Sequence, residues 1–294
     1  MPASEFALDA LKTTILGHFP ELASGRFTLL SDGWDSVAVD VDDRLIFKFP
    51  RHRHGEAALR REVGIVGLVS AAVSMPVPKL ELYSHPQTFS RHDKIPGEHL
   101  LAARYGGLGE TERQGLGKAL GQFYAELHAI DPADAAMAGA EPLETWFDAD
   151  QILRRIRPVL PAELWPFAET TMAGWAALGP DPHGLVYGFF DGHGWNMAFD
   201  HAKGRLNGIY DFADSGIGPL QQEFIYSNLV SADLTARIIT AYERHTGRNI
   251  DRDRVNLLTG THRLWELANE AHLPNHIDGL VKVIAAWANR ANTE

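Results

Sequence analysis

An α+β fold of two lobes, a small antiparallel-sheet lobe followed by a larger and mainly helical one, is predicted by three features of this 294-residue chain. Alternating apolar and polar residues with turn signals dominate up to about residue 95, and long helix-period segments dominate beyond it. One strand-and-turn insert, 184–214, interrupts the helical part. Runs of strands followed by runs of helices are the signature of segregated α+β layers. The natural break is "PGEHL" at 96–100, which divides the chain into 1–95 and 96–294.

Each element follows from its local pattern. An amphipathic helix is expected near 5–18. "SVAVDV" and "RLIFKF" read as two strands joined by a tight acidic turn at Asp42-Asp43. In "GEAALRREVGIVGLVSAAV", Leu59, Val63, Val66 and Val73 keep helical spacing, and Glu56 precedes Arg60 by one turn in the favourable order. Pro76 and Pro78 end that helix, and "KLELYS" and "TFSRHDKI" suggest two further strands. "TERQGLGKALGQFYAELHAI" is a long helix stopped by Asp131-Pro132. Residues 144–178 are helical with interruptions at Pro158, Pro161 and Pro166, and the chain is helical again from about 220.

Composition narrows the function classes. The chain has 38 acidic and 27 basic residues, net charge −11, and the excess lies beyond residue 98: net −2 before it and −9 after it. No basic patch of the kind a nucleic-acid partner needs is visible, and no apolar run is long enough for a membrane span. An acidic second half attracts a cationic ligand, although acidic surfaces also serve solubility alone. The absence of cysteine excludes disulfides, thiolate catalysis and cysteine metal sites, and with no basic n-region at the start it leads us to expect a cytoplasmic protein. The 14 histidines contain no H-E-x-x-H pair. "GLGKALG" at 115–121 has the wrong glycine spacing for a dinucleotide fingerprint; Ala119 and Glu112 break the P-loop pattern.

The insert carries the chemistry. "FFDGHGWNMAFD" puts Asp191, His193 and Asn196 within six residues, and "GIYDFADSG" closes an apolar strand on Asp211. Two short strands joined by "DHAKGRLN" would bring Asn196 and Asp211 together. An amide oxygen and a carboxylate are hard ligands that suit magnesium, which keeps waters and binds substrate phosphates. Asp191 would remain free to orient an incoming hydroxyl. A metal clamp with an acceptor-positioning carboxylate is what phosphoryl transfer requires. Each residue alone has a plainer reading: turns are rich in Asp and Asn, Asp211 could cap a helix, and a strand lysine usually faces solvent.

"DGHGWN" followed by "IYDFAD" resembles the catalytic loop and metal-binding segment of the aminoglycoside phosphotransferase family, and "SDGWDSVAVDVDDRLIFKFPR" resembles its phosphate-covering loop and lysine strand, most closely in the 2″-aminoglycoside phosphotransferases. "MPVPKLELY", "KIPGEHL" and "ELHAID" resemble later landmarks in the same order, so the likeness spans nearly the whole chain. The resemblance implies a two-lobed protein-kinase-like fold, with ATP or GTP as donor, Mg2+ as cofactor, and a hydroxyl acceptor. It implies Lys48 on the nucleotide phosphates, Glu62 as its ion-pair partner with Glu56 as the alternative, and Ser31, Gly33 and Ser36 shaping the phosphate loop. It also implies a purine-binding hinge near His92 and Lys94, Asp191 as the catalytic carboxylate, and Asn196 and Asp211 as metal ligands. The family usually has a histidine two residues before the catalytic aspartate; here the position is Phe189, so altered loop packing is expected.

On the acceptor side His193, Asp214, Glu223, Trp265, Glu266 and Glu270 are candidates. Glu266 and Glu270 share a helical face beside Trp265, which suits an amino sugar or a choline-like cation as well as it suits an exposed acidic face. His193 could instead brace the loop. The expected partners are a nucleotide and a cationic small molecule of the aminoglycoside class, with neither nucleic acid nor membrane. A macrolide, choline-like or metabolite kinase, or a weakly catalytic nucleotide-binding homologue, are the alternatives.

Overall fold

The computed structural model describes residues 7–30 and 35–291. Five antiparallel strands, β1 (Phe27–Leu30), β2 (Ser36–Val41), β3 (Leu45–Pro50), β4 (Glu81–Tyr83) and β5 (Phe89–Asp93), form the first lobe in the order β1-β2-β3-β5-β4. Asp42 and Asp43 both take left-handed φ, 59° and 56°, as a two-residue hairpin between twisted strands demands. Helix α1 (Leu8–His18) seats Leu11 and Ile15 against Val37, Val39, Phe47, Phe49 and Phe89.

The period of two on β3 then decides where Lys48 goes. Leu45, Phe47 and Phe49 are buried under α1, so Ile46 and Lys48 turn to the opposite face. Helix α2 (Arg53–Ala72) presents a buried stripe of Gly55, Ala58, Leu59, Glu62, Ile65, Val66 and Val69 at helical spacing. Glu62 is the one charged member of that stripe. A carboxylate there must find a partner, because burying it alone is costly.

In the second lobe α3 (Ala102–Gly106) leads into α4 (Glu110–Leu127), which ends one turn before Asp131. Asp131 was expected to stop that helix; it also starts the next one, its side chain accepting the Ala133 N–H at 2.8 Å to cap α5 (Pro132–Met137). Pro166 likewise lies in the first turn of a helix rather than interrupting one. That helix, α7 (Trp165–Ala176), packs with α6 (Ala149–Ile156), α9 (Arg252–Glu270) and α10 (Pro274–Ala291) around Ile152, Met172, Leu264 and Ile284. Helix α8 (Ala232–Thr246) crosses α4 at Gly117 and Gly121, where a Cβ would come within 2.6 Å of Arg237 or Ala241. The glycines of "GLGKALG" are therefore a helix-packing contact. No helix among the described residues is long and apolar enough to cross a membrane.

The insert contains β7 (Leu185–Gly188), β8 (Met197–Asp200) and β9 (Arg205–Ile209); β10 (Gly216–Pro219) follows, and a short β6 (Glu141–Pro142) joins from earlier in the chain. Strands β6, β10 and β7 form one sheet, and β8 and β9 form a hairpin. The two-residue β6 has no period of its own; only its pairing with β10 defines it. The arrangement brackets two irregular segments, 189–196 after β7 and 210–215 before β10. Pairing of Met197 with Ile209 and of Gly188 with Gly216 brings these segments together.

Candidate active site

Lys48, Glu62 and Asp211 meet at the junction of the lobes. The Lys48 ammonium lies 3.1 Å from Glu62 Oε2 and 2.7 Å from Asp211 Oδ1. Burial alone would lower the pKa of Lys48, but the two carboxylates outweigh it and hold it well above the ordinary lysine range. Burial also opposes ionisation of Asp211, and Lys48 overcomes it, so the Asp211 carboxyl is pulled below its ordinary value. Glu62 does a second job: its Oε1 accepts the Phe212 N–H at 3.0 Å. One side chain thus ties α2, β3 and the Asp211 segment together. Glu56, the alternative partner for Lys48, is instead bonded to Arg60 and Thr88.

Asp191 has both carboxylate oxygens occupied. His193 Nε2 is 3.0 Å from Oδ1, and Asn196 Nδ2 donates to Oδ2 at 2.6 Å. Burial raises the Asp191 pKa against the pull of these two neighbours. For His193 burial acts downward, and the Asp191 charge more than reverses it. His193 therefore contacts the proposed catalytic carboxylate, in keeping with the loop-bracing alternative to substrate contact. The Tyr210 N–H donates to the Asn196 carbonyl at 3.1 Å, which fastens the Asp211 segment to this loop.

Backbone strain concentrates here. Phe190 (φ 52°) and Asp211 (φ 66°) hold left-handed conformations, which cost non-glycine residues of order 1 kcal/mol or more and persist only where surroundings enforce them. At Phe190 the enforcing group is Glu223. It was expected to bind substrate but is fully buried, with Oε2 accepting the Phe189 N–H at 2.7 Å and Oε1 the Phe190 N–H at 2.8 Å. His128 Nε2 lies 3.2 Å from the same carboxylate, and its Nδ1 is 3.0 Å from the Tyr242 hydroxyl. Phe189 packs its ring 4.8 Å from Phe212 and 6.2 Å from Phe123. The loop is braced by a buried carboxylate from outside it.

The loop glycines are required by close approach. A Cβ at Gly192 would lie 2.1 Å from the Tyr124 hydroxyl, and one at Gly194 would lie 1.8 Å from the Leu100 carbonyl oxygen. Gly194→Ala must therefore displace the loop. A shift of about 1 Å in a positioning group can cost on the order of a hundredfold in rate. We expect that loss in kcat, measured beside an unchanged far-UV circular dichroism spectrum.

The remaining expected site residues divide. Ser31 and Gly33 lie outside the described residues. Ser36 is largely buried at the start of β2. His92 is half-buried, and its Nδ1 lies 2.9 Å from the Asp93 carbonyl. The Lys94 ammonium is held 2.5 Å from both Asp40 and Asp43, at the β2–β3 turn, so its charge is already spent within the sheet. Glu266 bonds the buried Arg263 at 2.9 Å, and Glu270 lies 2.8 Å from His276. Neither is the free carboxylate expected for an ammonium group. Asp214 has no hydrogen-bond or ion-pair partner among the described residues. Although Asp214 is exposed at the surface, desolvation by the atoms around it and then the like charges of Asp191 and Asp211 push its carboxyl up to about 6.

Trp265 belongs to an aromatic group with Trp146, His262 and Tyr226, with ring centroids 5.2–6.1 Å apart. Burial takes His262 down to about 4, so the ring is neutral at pH 7. Burial first, and then the charges of Glu223, Asp191 and Glu266, raise the Tyr226 hydroxyl above its ordinary value, so this aromatic wall stands in the field of Asp191. Trp146 and Tyr226 were not anticipated; their spacing in sequence gives no sign of the contact.

Metal fit can be judged from the free oxygens. Asn196 uses its amide nitrogen on Asp191, leaving Oδ1 without a hydrogen-bond partner among the described residues, and Asp211 uses only Oδ1 on Lys48. Two hard oxygens with the rest of the sphere left to phosphates and water suit magnesium. They do not suit a metal held by protein alone, and no group of three or more potential ligands occurs among the described residues.

Comparison with known proteins adds the following. A family model described as the phosphotransferase enzyme family matches residues 26–258. The wild-type aminoglycoside 2'-phosphotransferase-IIIa in its GDP complex is similar with a TM-score of 0.80 and 17% identity, over 97% of this chain and 99% of that one. The GDP and kanamycin complex of APH(2")-IIIa gives 0.76 and 19%, over 97% and 99%. The macrolide 2'-phosphotransferase MphH from Brachybacterium faecium, as apoenzyme, gives 0.70 and 16%, over 94% and 98%. At such identities the likeness is one of fold.

Proposed function

Because the chain belongs to the phosphotransferase enzyme family, we propose that it transfers the γ-phosphoryl of ATP or GTP to a hydroxyl of an amino-sugar acceptor of the aminoglycoside type. The observation that carries this reading is the convergence of Lys48, Asp191, Asn196 and Asp211 around one junction, from three separate segments. Asp191 orients the acceptor hydroxyl and takes its proton late, as a loose transition state requires. Its two neighbours fix its direction: His193 and Asn196 leave the carboxylate no freedom to turn away. Lys48, held by Glu62, presents its ammonium to the phosphates. Asn196 and Asp211 would hold magnesium, which when bound neutralises phosphate charge.

Asp214, unpaired beside Asp191, supplies a carboxylate for one acceptor ammonium group, and the net −9 beyond residue 98 attracts cations. A second reading is favoured by the aromatic wall and by the internal pairing of Glu266 and Glu270. An acceptor with few charges and an apolar face, such as a macrolide, would meet that wall better than a polycation does. The solved relatives support both classes, since kanamycin is bound in one and another is a macrolide phosphotransferase.

Incubation with magnesium, ATP or GTP, and kanamycin, erythromycin or choline separates these readings by mass spectrometry of the acceptors. Phosphorylated kanamycin is the expected product; phosphorylated erythromycin alone would establish the second reading, and no phosphorylated acceptor would refute both. In a nucleotide titration with and without magnesium, Asp211→Ala should weaken magnesium-dependent nucleotide binding by about tenfold or more, the cost of a lost charged ligand. Unchanged titration curves would remove Asp211 from the metal site.

A further inference from the structure

Between Asp191 and Asn196 stands a residue that the chemistry above leaves unused. Trp195 is 54% exposed, an unusual state for the largest apolar side chain, and it lies within the most constrained loop of the molecule. Its ring is not loose. The His99 imidazole lies 4.8 Å from it, centroid to centroid. The Tyr210 hydroxyl donates to the Trp195 carbonyl at 2.8 Å and lies 3.0 Å from His99 Nδ1. Since the tyrosine proton is committed to that carbonyl, His99 carries its proton on Nδ1 and donates it to the tyrosine oxygen. The Leu100 N–H bonds the Gly194 carbonyl at 2.9 Å. Three segments, the interlobe linker, the loop of Asp191 and the strand end before Asp211, thus cooperate to hold one indole at the surface.

The position of this shelf decides what it meets. Tyr210 directly precedes Asp211, so one end of the shelf adjoins the phosphate end of the cleft. His99 lies in the linker that leaves β5, just beyond His92 and Lys94 where the purine hinge is expected, so the other end is on the side of the base. What lies between a base at the linker and phosphates at Lys48 is the sugar. The aromatic wall of Trp146, Tyr226, His262 and Trp265 is a separate group, and no ring contact joins it to the shelf among the described residues.

We propose that Trp195, backed by His99 and Tyr210, is a nucleotide-specificity residue: its indole face receives the sugar of the donor nucleotide and distinguishes a nucleoside triphosphate from bare polyphosphate. This inference rests on the kinase reading above. A furanose presents C–H groups to a π-face, and burying that apolar contact favours binding without demanding a particular base. ATP and GTP are then affected alike.

The test compares magnesium complexes of ATP, GTP and inorganic tripolyphosphate, titrated into the whole protein by calorimetry. Trp195→Ala should raise the Kd of both nucleotides about tenfold, while that of tripolyphosphate moves less than twofold; Trp195→Phe should recover most of the loss. Equal weakening of tripolyphosphate would mean that the change disturbs the phosphate and metal end, and would overturn the proposal. Nucleotide affinity within twofold of wild type would overturn it too, as would an effect confined to the KM of the acceptor. His99→Ala gives a second reading, with an expected loss of about threefold by the same measure. Failure of the unaltered protein to bind either nucleotide would refute the kinase reading itself, so the two failures are distinguishable.

Discussion

Asp191→Asn is expected to reduce kcat by about a thousandfold or more, while nucleotide affinity stays within a few-fold of wild type. General base and positioning contributions of a single carboxylate are typically on the order of a hundred- to ten-thousandfold. The upper part of that range applies because an asparagine here fails twice. Its amide cannot accept the acceptor hydroxyl proton, and one of its two ends must present N–H groups to His193 Nε2 or to the Asn196 amide. The carboxylate accepts from both neighbours; the carboxamide can accept from only one. Nucleotide binding is spared because Lys48 and Asp211 make no direct bond to Asp191. Single-turnover phosphoryl transfer with a nucleotide titration of the same variant decides it. Near-normal product formation would remove Asp191 from its role.

Glu223→Ala is expected to be the most damaging substitution outside the cleft. It leaves two buried N–H groups, Phe189 and Phe190, without acceptors, and strands His128 beside an empty space. Each unsatisfied buried donor costs about 1–3 kcal/mol, so the loss is about 2–6 kcal/mol. For a protein of this size that is a fall in Tm of about 3–10 °C. Released Phe190 would relax from its left-handed φ, moving Asp191 with it, and kcat should fall about a hundredfold even at temperatures where the protein is folded. Glu223→Gln retains one acceptor and should lie between the two. The decisive comparison is thermal melting against kcat at low temperature; a variant that melts early yet turns over normally would show that Glu223 stabilises the lobe without setting the loop.

Glu223 also illustrates where sequence reasoning stops. An acidic residue shortly after the metal-binding segment, in an acidic lobe, reads as a cation site. Nothing in its neighbours says that it faces inward, because the 220–229 stretch is a 3-10 helix with no clear apolar face. Phe189 signalled altered loop packing, but not which group would hold the loop. The same limit applies to Lys94, Glu266 and Glu270, each of which carries the right charge for the expected role. Their partners Asp40, Asp43, Arg263 and His276 had already claimed them. Charge is written in the sequence; whether it is compensated is not.

Local order was legible where one periodicity governs one element. Alternation in β2 and β3, the Asp42-Asp43 turn, and the stripe of α2 that contains Glu62 each follow from steric and hydrophobic patterning over a few residues. The spacing of Asp191, Asn196 and Asp211 was legible too, since a short hairpin between them permits few alternatives. Tertiary structure alone decided which carboxylates stay free, how Asp191 is clamped, and why Trp195 stands at the surface between His99 and Tyr210. Those outcomes depend on contacts between segments up to about a hundred residues or more apart. Periodicity acts along the chain within a turn or two, whereas hydrogen-bond satisfaction acts across the packed interior, where any segment can supply the missing partner.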